Sequence, residues 1–449
     1  MPNQPFQILS EPADHDTLGS TTTEDVTCLA CGCLCDDLRI TANAGKVVEV
    51  ESACQIGRRW FEQKSLADTC PSATIDGQVV DAQAALDRVV SILRESRSPV
   101  LFGLNMTVTE TVREAIRVAD RIGARLILNR SDKELRRVAA FQNLGRVSAT
   151  LGEVKGRGDV VVFWNCDPVR THPRHFERYS VEPRGRFVPE GRTGRLIIVI
   201  DQQTTETARV ADLFVPIDAK NQLFALLTLR SMIAGRSIGS RERAGLDLDV
   251  LVNIASHLKK ARYGAFFFDE PAGVSGHGAA HWEAATKLVR SLNESTRFVM
   301  LGLGRAGNLA GGEAALTWQS GFLQGVDFRT GSPRPIDHQW TLENTLISRE
   351  TDAILIVADD WPETLSVEAR TNLMSIPRIA ISPSATRAGA SMFTIGLASA
   401  TAGFDAGGTV TRVDGVCLPV RAIAPATAPT DREWLGRILD HMPDRRGTP

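Results

Sequence analysis

Five cysteines lie close together near the start of the chain, four of them in the stretch TCLACGCLCDD (27–37). The spacing that stands out is Cys-x2-Cys-x3-Cys, followed after eighteen residues by one more cysteine. The residues with this spacing are Cys28, Cys31, Cys35 and Cys54. Three thiolates on a turn and a fourth from a distant segment can converge on a [4Fe–4S] cluster, which takes four Cys ligands. A four-cysteine zinc site is the open alternative, although the second Cys-x2-Cys knuckle typical of zinc is missing.

The other cysteines carry less information. Cys33 would be left over as a non-ligand thiol, whether the bound group is an iron–sulfur cluster or zinc. Gly32 beside it would let the backbone turn tightly around the bound group. Three further cysteines stand alone in the sequence, and we expect them to be thiols of the hydrophobic core. They are Cys70, Cys166 and Cys417.

A glycine-rich stretch forms a second, weaker pattern. GLGRAG (302–307) follows the predicted strand RFVML (297–301) and has the G-x-G-x-x-G spacing of dinucleotide-binding loops, with Asp327 about twenty residues on. The residues that follow include further small residues and a Gly-Gly pair before a helical pattern begins. We therefore expect that this loop does not bind a nicotinamide cofactor.

Two pairs of histidines could bind metal but have simpler explanations. His277 and His281 lie four residues apart, without the Glu that follows the first histidine in a hydrolytic zinc helix. We expect them to be surface or helix-cap histidines. His172 and His175 belong to the stretch HPRH, where the proline indicates a turn, and we expect them to satisfy buried backbone carbonyls.

Composition excludes several classes of function. The chain has 449 residues and a formal net charge of −2, so neither nucleic acid nor an anionic membrane is expected as its main partner. Residues 1–24 lack the basic and apolar regions of a signal peptide and predict a flexible polar tail. The missing signal peptide predicts a cytoplasmic protein, and no apolar run approaches the ~18–20 residues of a membrane helix, so we expect a soluble chain.

The elements that position these residues are short apolar strands alternating with amphipathic helices such as 82–96 and 109–123. Most of the strands are apolar on both faces, which predicts parallel sheets with helices on both sides and ligands at the carboxyl ends of the strands. The predicted strands are 99–104, 124–128, 159–164, 195–201, 264–269, 297–301, 352–357 and 378–382.

From about residue 25 to about residue 422, the sequence resembles the B subunit of formylmethanofuran dehydrogenase, a member of the molybdopterin oxidoreductase superfamily. The segments that carry the resemblance are TCLACGCLCDDL, ATLGEVKGRGDVVVFWNCDPVRTHPRHFERYS (149–180), LTWQSGFLQGVDFRTGSPR (316–334) and GGTVTRVDGV (407–416). In that family the cysteines that match Cys28, Cys31, Cys35 and Cys54 bind a [4Fe–4S] cluster. The resemblance therefore favours iron–sulfur over zinc.

The resemblance also implies an α/β fold with a small iron–sulfur region and two doubly wound α/β domains that flank two pterin guanine dinucleotides. Asp201, at the end of the strand LIIVID, is where such a fold would place a carboxylate against a ribose or guanine. The implied divisions are a tail (1–24), the iron–sulfur region (25–75), a first domain (76–128 with 328–422), a second domain (129–327) and a linker with the C-terminal helix (423–449).

One departure from the family concerns the metal. Active members coordinate tungsten or molybdenum through a cysteine or selenocysteine followed by a histidine, and here the matching positions hold Lys133 and Glu134. A lysine cannot replace a soft thiolate, because its ammonium is cationic near neutral pH. We expect Lys133 to begin a helix with a charged, exposed face, and we expect no catalytic residue in this chain.

A variant of the family combines this scaffold with hydrolysis. In methylotrophic bacteria, a formyltransferase/hydrolase complex contains a related B subunit together with a hydrolase subunit, a formyltransferase subunit and a paralogous C subunit. The resemblance thus implies a non-redox subunit of a complex that releases formate in tetrahydromethanopterin-linked one-carbon metabolism. The alternative is an active oxidoreductase subunit in which molybdopterin guanine dinucleotide holds tungsten or molybdenum without a protein thiolate.

Overall fold

The computed structural model describes residues 20–65, 70–239, 247–273, 279–336, 341–362, 364–387 and 392–443. Its strands, in chain order, are β1 (Thr21–Val26), β2 (Leu38–Asn43), β3 (Lys46–Glu51), β4 (Ala73–Ile75), β5 (Gln78–Val79), β6 (Pro99–Gly103), β7 (Arg125–Leu128), β8 (Val160–Trp164), β9 (Leu196–Asp201), β10 (Leu213–Pro216), β11 (Gly264–Phe268), β12 (Phe298–Leu301), β13 (Gly325–Asp327), β14 (Arg334–Pro335), β15 (Ala353–Val357), β16 (Arg378–Ser382), β17 (Ile395–Ala398), β18 (Gly408–Thr411) and β19 (Cys417–Val420).

The helices connect these strands. They are α1 (Gln55–Ser65), α2 (Ala82–Glu95), α3 (Thr109–Ile122), α4 (Asp132–Leu144), α5 (Leu151–Arg157), α6 (Pro168–Thr171), α7 (Glu206–Arg209), α8 (Ala219–Ile233), α9 (Leu248–Lys260), α10 (Ala280–Leu292), α11 (Leu309–Ser320), α12 (Leu342–Ile347), α13 (Val367–Met374) and α14 (Asp431–His441). A π-helical turn spans Phe176–Ser180.

The largest sheet has nine strands in the order β14-β13-β7-β6-β15-β16-β17-β4-β5. Strands β7, β6, β15, β16 and β17 are parallel, and the outer strands at both edges are antiparallel. One face packs on α2, α3, α11 and α14, and the other packs on α12 and α13. Helices on both faces explain why the central strands are apolar throughout.

A second sheet has five parallel strands in the order β10-β9-β8-β11-β12. Its core on one side includes α8, α9, α10 and Ala140 of α4, and on the other side α5, α7 and the π-helical turn. The predicted α/β class is therefore confirmed. The finer assignment to an iron–sulfur region and two molybdopterin-type domains stays a prediction.

Each sheet has a point where successive connections leave in opposite directions. In the nine-stranded sheet this point lies between β6 and β15, and in the five-stranded sheet it lies between β8 and β11. Ligands of open α/β sheets bind at the carboxyl ends of the strands at such a switch point. The loops after these four strands are therefore the first places to search for a site.

The N-terminal region is a three-stranded antiparallel sheet, β1-β2-β3, followed by α1. Its core combines Val26, Ile40 and Phe61 with the cysteines of the loop between β1 and β2. Strands β18 and β19 form a separate antiparallel pair. Across the described residues, no helix is both long and apolar enough to cross a membrane.

Candidate functional site

The loop between β1 and β2 holds four cysteines in a compact turn. The Cys28 amide donates to the Cys35 carbonyl at 2.8 Å, and the Leu34 amide donates to the Cys31 carbonyl at 3.3 Å. Leu34 has a positive φ of 41°, which closes the turn without a glycine at that position. Cys54 stands immediately before α1 and approaches the loop from a separate segment.

Sulfur atoms from the two segments meet at Gly57 of α1. A Cβ at Gly57 would lie 3.1 Å from the Cys28 sulfur and 4.0 Å from the Cys54 sulfur, and the Gly57 amide donates to the Cys54 sulfur at 3.5 Å. Burial raises the pKa of Cys28, and the nearby thiols of Cys31, Cys35 and Cys54 raise it further against an opposing backbone hydrogen bond. The structure thus brings together the four cysteines predicted from their spacing.

Cys33 lies inside the same group. Hydrogen bonds with Cys31 and Cys35 raise the pKa of the buried Cys33 thiol, and the same bonds lower the pKa of its two neighbours. Within the described residues, no three or more His, Cys, Asp or Glu side chains have the geometry of a preformed metal site. The thiols fit a [4Fe–4S] cluster in type and number. Their binding of a cluster stays a prediction.

The HPRH segment packs beside this loop. His172 Nδ1 lies 2.8 Å from the Thr171 hydroxyl, and His175 Nδ1 lies 2.9 Å from the Ser180 hydroxyl. Both Nδ1 atoms therefore meet hydroxyl groups, of α6 and of the π-helical turn, whereas the expected backbone partner is found for His172, which hydrogen-bonds with the Gly304 backbone. Burial lowers the pKa of His172 to about 4 and, with smaller effects of His172 and Arg412, that of His175 to about 3.

Two arginines of this segment reach the cysteine loop. Arg174 donates to both carboxylate oxygens of Asp37 at 2.7 and 2.8 Å, and Arg178 donates to Asp36 at 2.5 Å. Sequence reasoning missed these contacts. The available signal was a pair of arginines four residues apart in RHFER, together with two aspartates directly after Cys35.

The glycine-rich loop 302–307 forms a packing contact with the cysteine loop. A Cβ at Gly32 would lie 2.3 Å from the Leu303 carbonyl oxygen and 2.8 Å from Gly304 Cα. The Gly307 amide donates to the Leu29 carbonyl at 2.9 Å. The glycines therefore permit two backbones to touch. Asp327, the acidic residue of the dinucleotide pattern, is engaged by Arg329.

A cleft of about 1070 Å³ opens at the carboxyl ends of β6, β7 and β15, at the switch point of the nine-stranded sheet. Its polar wall includes Asn129, Arg130, Lys133, Arg305 and Asp360. Most of these groups are already paired: Asp360 accepts from the Asn105 amide at 2.5 Å, and Arg130 pairs with Glu313 at 3.3 Å. The cleft has the location expected for a ligand of this fold class.

Lys133 lies in the first turn of α4 and lines the cleft. Ser131 and Glu134 form a capping box there, so the predicted helix start is confirmed. The Lys133 ammonium lies 3.2 Å from Asp269 Oδ2 and 3.4 Å from the Glu270 carbonyl, both in the loop after β11. Its side chain is 41% exposed, as expected of an exposed helix face, and it also lines the cleft.

These contacts do not fit a tungsten or molybdenum ligand at position 133. A ligand for such a metal must offer a lone pair, whereas an ammonium that is paired with a carboxylate offers only protons. Burial raises the pKa of Asp269, and the charge of Lys133 opposes this shift. The lysine and the aspartate therefore satisfy one another.

Asp201 ends β9 and lies near the switch point of the five-stranded sheet. Its carboxylate accepts from the Gln202 amide at 2.7 Å, and burial is the main cause that raises its pKa. Burial raises the pKa of the nearby Cys166 thiol, and the carboxylates of Asp269, Asp201 and Asp167 raise it further. A nucleotide contact at Asp201 stays a prediction.

The three isolated cysteines and the pair His277 and His281 differ in how far they agree with the expected burial. Cys166 is buried, as expected of a core thiol, but Cys417 is exposed on β19, so that expectation is wrong for Cys417. Cys70 is half-buried. His281 is buried in α10, contrary to the expected surface position, because the apolar face of that helix covers it. His277 lies outside the described residues.

A scan against protein-family models finds no match. Curated relatives do match over most of the chain. The chain is 30% identical over 423 residues to the B subunit of the tungsten-containing formylmethanofuran dehydrogenase 2 of Methanocaldococcus jannaschii, covering 92% of this chain and 97% of that protein. The protein of the same name from Methanococcus maripaludis is 28% identical over 94% of this chain and 99% of its own length.

Two further similarities come from Methylorubrum extorquens. The B subunit of its formyltransferase/hydrolase complex is 27% identical over 83% of this chain and 98% of its own length. A chain in the crystal structure of the formyltransferase/hydrolase complex with methylofuran superposes with a TM-score of 0.69 at 25% identity. That superposition covers 82% of this chain and 98% of that chain.

Proposed function

Because this chain belongs to the family of formylmethanofuran dehydrogenase B subunits, we propose that it is a non-redox subunit of a formyltransferase/hydrolase complex. Such a complex would release formate from a formyl group in tetrahydromethanopterin-linked one-carbon metabolism. The proposed partners are a hydrolase subunit, a formyltransferase subunit and a paralogous C subunit, and the proposed location is the cytoplasm. Similarity to a subunit of that kind of complex supports this assembly.

The observation that carries the proposal is the ion pair at position 133. In the family, a thiolate at this position binds tungsten or molybdenum, but here Lys133 pairs with Asp269 at 3.2 Å. Electron transfer from a formyl group would need that metal, whereas hydrolysis needs no electron acceptor. The loss of the ligand therefore favours the hydrolytic member of the family.

The cysteine group supports a structural iron–sulfur cluster as part of this proposal. Cys28, Cys31, Cys35 and Cys54 would hold the cluster between the three-stranded sheet and α1. A bound cluster would tie these two elements together, because metal binding adds its free energy to folding. The cluster would also provide redox chemistry in an active family member.

The second candidate is an active oxidoreductase subunit with pterin-bound metal. Two observations favour it: the tungsten-containing relative matches with higher identity and coverage than the hydrolytic one, and a cleft of about 1070 Å³ persists at the switch point. In this case Asp201 and the polar wall of the cleft would hold molybdopterin guanine dinucleotide, and no side chain at position 133 would bind the metal.

Parallel assays of one preparation distinguish the candidates. The complex, purified with its native partners, is given a formylated furan carrier, and formate release and reduction of a viologen dye are measured separately. We expect formate without dye reduction, and none of either product from this chain alone. Dye reduction in step with formyl consumption would establish the oxidoreductase instead.

A further inference from the structure

We infer that Arg174 and Arg178 compensate the charge of the predicted iron–sulfur cluster and raise its reduction potential. This inference rests on the proposed cluster at Cys28, Cys31, Cys35 and Cys54. It concerns side chains outside the ligand set, which reach the cysteine loop from a distant part of the chain.

The geometry holds both guanidinium groups in fixed positions. Arg174 makes a two-pronged contact with Asp37, its Nη1 and Nη2 atoms lying 2.7 and 2.8 Å from the two carboxylate oxygens. Arg178 contacts Asp36 at 2.5 Å through Nη2 and pairs with Asp37 through Nη1. Bidentate contacts of this kind fix the direction of an arginine as well as its distance.

The segment that carries these arginines is itself rigid. His175, between them, packs against Phe267 and Phe163, and its ring contacts the Ser180 hydroxyl. The π-helical turn Phe176–Ser180 brings Arg178 back toward the same loop as Arg174. Such turns occur often at functional sites, where they redirect a side chain.

The two arginines lie largely away from water, with side chains only 13% and 16% exposed. Arg178 and Arg174 contact Asp36 and Asp37, the two residues that directly follow Cys35. Arg174 also pairs with Glu177, so both guanidinium groups are held at the cysteine loop by carboxylates.

The sign of the effect follows from charge. A cluster with four thiolates is negatively charged overall, and reduction adds one more negative charge. The two guanidinium charges offset the carboxylates of Asp36 and Asp37 at the cysteine loop. Removing a guanidinium charge leaves those carboxylates uncompensated, which disfavours the reduced form more than the oxidised form, and this effect is larger where water is excluded. Hydrogen bonds, net charge and solvent exposure around the sulfurs are established determinants of cluster potentials.

The test measures iron content and midpoint potential in the complex purified anaerobically with its native partners. The variants are Arg174→Gln, Arg178→Gln and their combination, each compared with the lysine substitution that retains the charge. Arg170→Gln is the matched control, because Arg170 lies in the preceding helix, is 73% exposed and pairs with Asp167 instead of the cysteine loop. The potential is read from the electron paramagnetic resonance signal of the reduced cluster during a mediated titration.

We expect the glutamine variants to retain iron and to shift toward more negative potential. In the double variant, the ratio of reduced to oxidised cluster at a fixed potential should fall at least tenfold. This fall corresponds to a shift of about 59 mV in the midpoint potential of a one-electron couple. The lysine variants and Arg170→Gln should remain close to wild type.

The possible outcomes separate this inference from the proposed function. If the double variant keeps its iron and its midpoint potential does not change, the inference is overturned and the proposed cluster is not. If the wild-type protein contains no iron, the proposed cluster and the inference are overturned together. If the double variant loses iron, the potential is read in the single variants: a negative shift in Arg174→Gln or Arg178→Gln that the matching lysine variant lacks supports the inference. An unmoved potential in both glutamine variants, or loss of iron from both, overturns it.

Discussion

The proposed function depends on one side chain. Lys133 stands where the resemblance to the family places a metal-binding thiolate, and it forms an ion pair with Asp269 at 3.2 Å, at the junction between the cleft and the loop after β11. An exchange of thiolate for ammonium reverses the charge of the position and removes its lone pair at neutral pH. Under the proposed function, position 133 therefore does not coordinate a metal, and its ion pair with Asp269 leaves no unpaired charge there.

Lys133→Ala should leave the formyl-to-formate flux of the complex nearly unchanged. Since the ion pair is about 40% exposed on both sides, its loss should cost no more than about 1 kcal/mol of unfolding free energy. Flux and urea unfolding are measured together, with Lys287→Ala as a control that breaks another part-exposed ion pair, to Glu283. A collapse of flux in an assembled Lys133→Ala complex would show that the position takes part in the chemistry.

Cys28→Ala should remove iron from the protein, whereas Cys33→Ala should retain it. Cys28 approaches Cys54 across Gly57, while Cys33 only hydrogen-bonds with Cys31 and Cys35. Iron and acid-labile sulfide are measured after anaerobic purification, with about four irons per chain expected in wild type and in Cys33→Ala. One zinc per chain in place of iron would refute the cluster.

The buried histidines should make the protein sensitive to acid. The pKa of His175 is about 3 when folded and about 6.5 when unfolded, so the unfolded state binds its proton first. This histidine therefore contributes stability that is present above pH 6.5 and is lost as the pH falls toward 3, by about 2 kcal/mol between pH 7 and pH 5.

His175→Gln should reduce this loss, because glutamine does not titrate. The measurement compares the urea unfolding of wild type and variant at pH 7 and at pH 5. Comparing the two proteins removes the contribution of Asp431, whose pKa burial raises to about 7 and whose effect has the opposite sign. An equal loss in both proteins would place the acid sensitivity elsewhere.

At the scale of elements, the backbones of the cysteine loop and of the loop 302–307 pack in direct contact, and glycines make this close approach possible. Gly32 meets Leu303 and Gly304 at distances that leave no space for a side chain. Gly304 has a φ of 80°, a conformation that favours glycine in any case. This contact links the N-terminal sheet to the carboxyl end of β12, and Arg305 in the same loop lines the cleft.

Gly32→Ala should destabilise the protein by about 1–3 kcal/mol, because its Cβ would overlap backbone atoms that cannot rotate away. Gly436→Ala is the control, since nothing lies within 4 Å of its Cβ position in α14. That control should be neutral or slightly stabilising, as alanine favours a helix. Both are compared by urea unfolding, and equal stability of the two variants would contradict the close contact.

The sequence was sufficient to predict the elements that follow from periodicity. The apolar runs predicted β6, β8, β9, β11 and β15 to within about two residues, because strands buried on both faces leave a continuous apolar signal. The convergence of the cysteines followed from spacing and resemblance. The contacts of Arg174 with Asp37 and of Lys133 with Asp269 could not be predicted, because they join residues more than a hundred positions apart through side chains alone.

At the scale of the whole molecule, the switch points of the mixed nine-stranded sheet and the parallel five-stranded sheet lie at a shared region. The cleft lies at the carboxyl ends of β6, β7 and β15, and Lys133 on its wall contacts the loop after β11 of the other sheet. We propose that the scaffold and its cleft persist in this protein while the redox chemistry does not, because Lys133 offers no ligand for a metal.

The most direct test is metal and pterin analysis of the complex purified with its native partners under strict anaerobiosis. Tungsten, molybdenum, iron and pterin are quantified per chain in the same sample. The account predicts about four irons and neither tungsten nor molybdenum, because Lys133 is paired with Asp269 and offers no lone pair. Stoichiometric tungsten or molybdenum with pterin would contradict the non-redox function and establish the oxidoreductase.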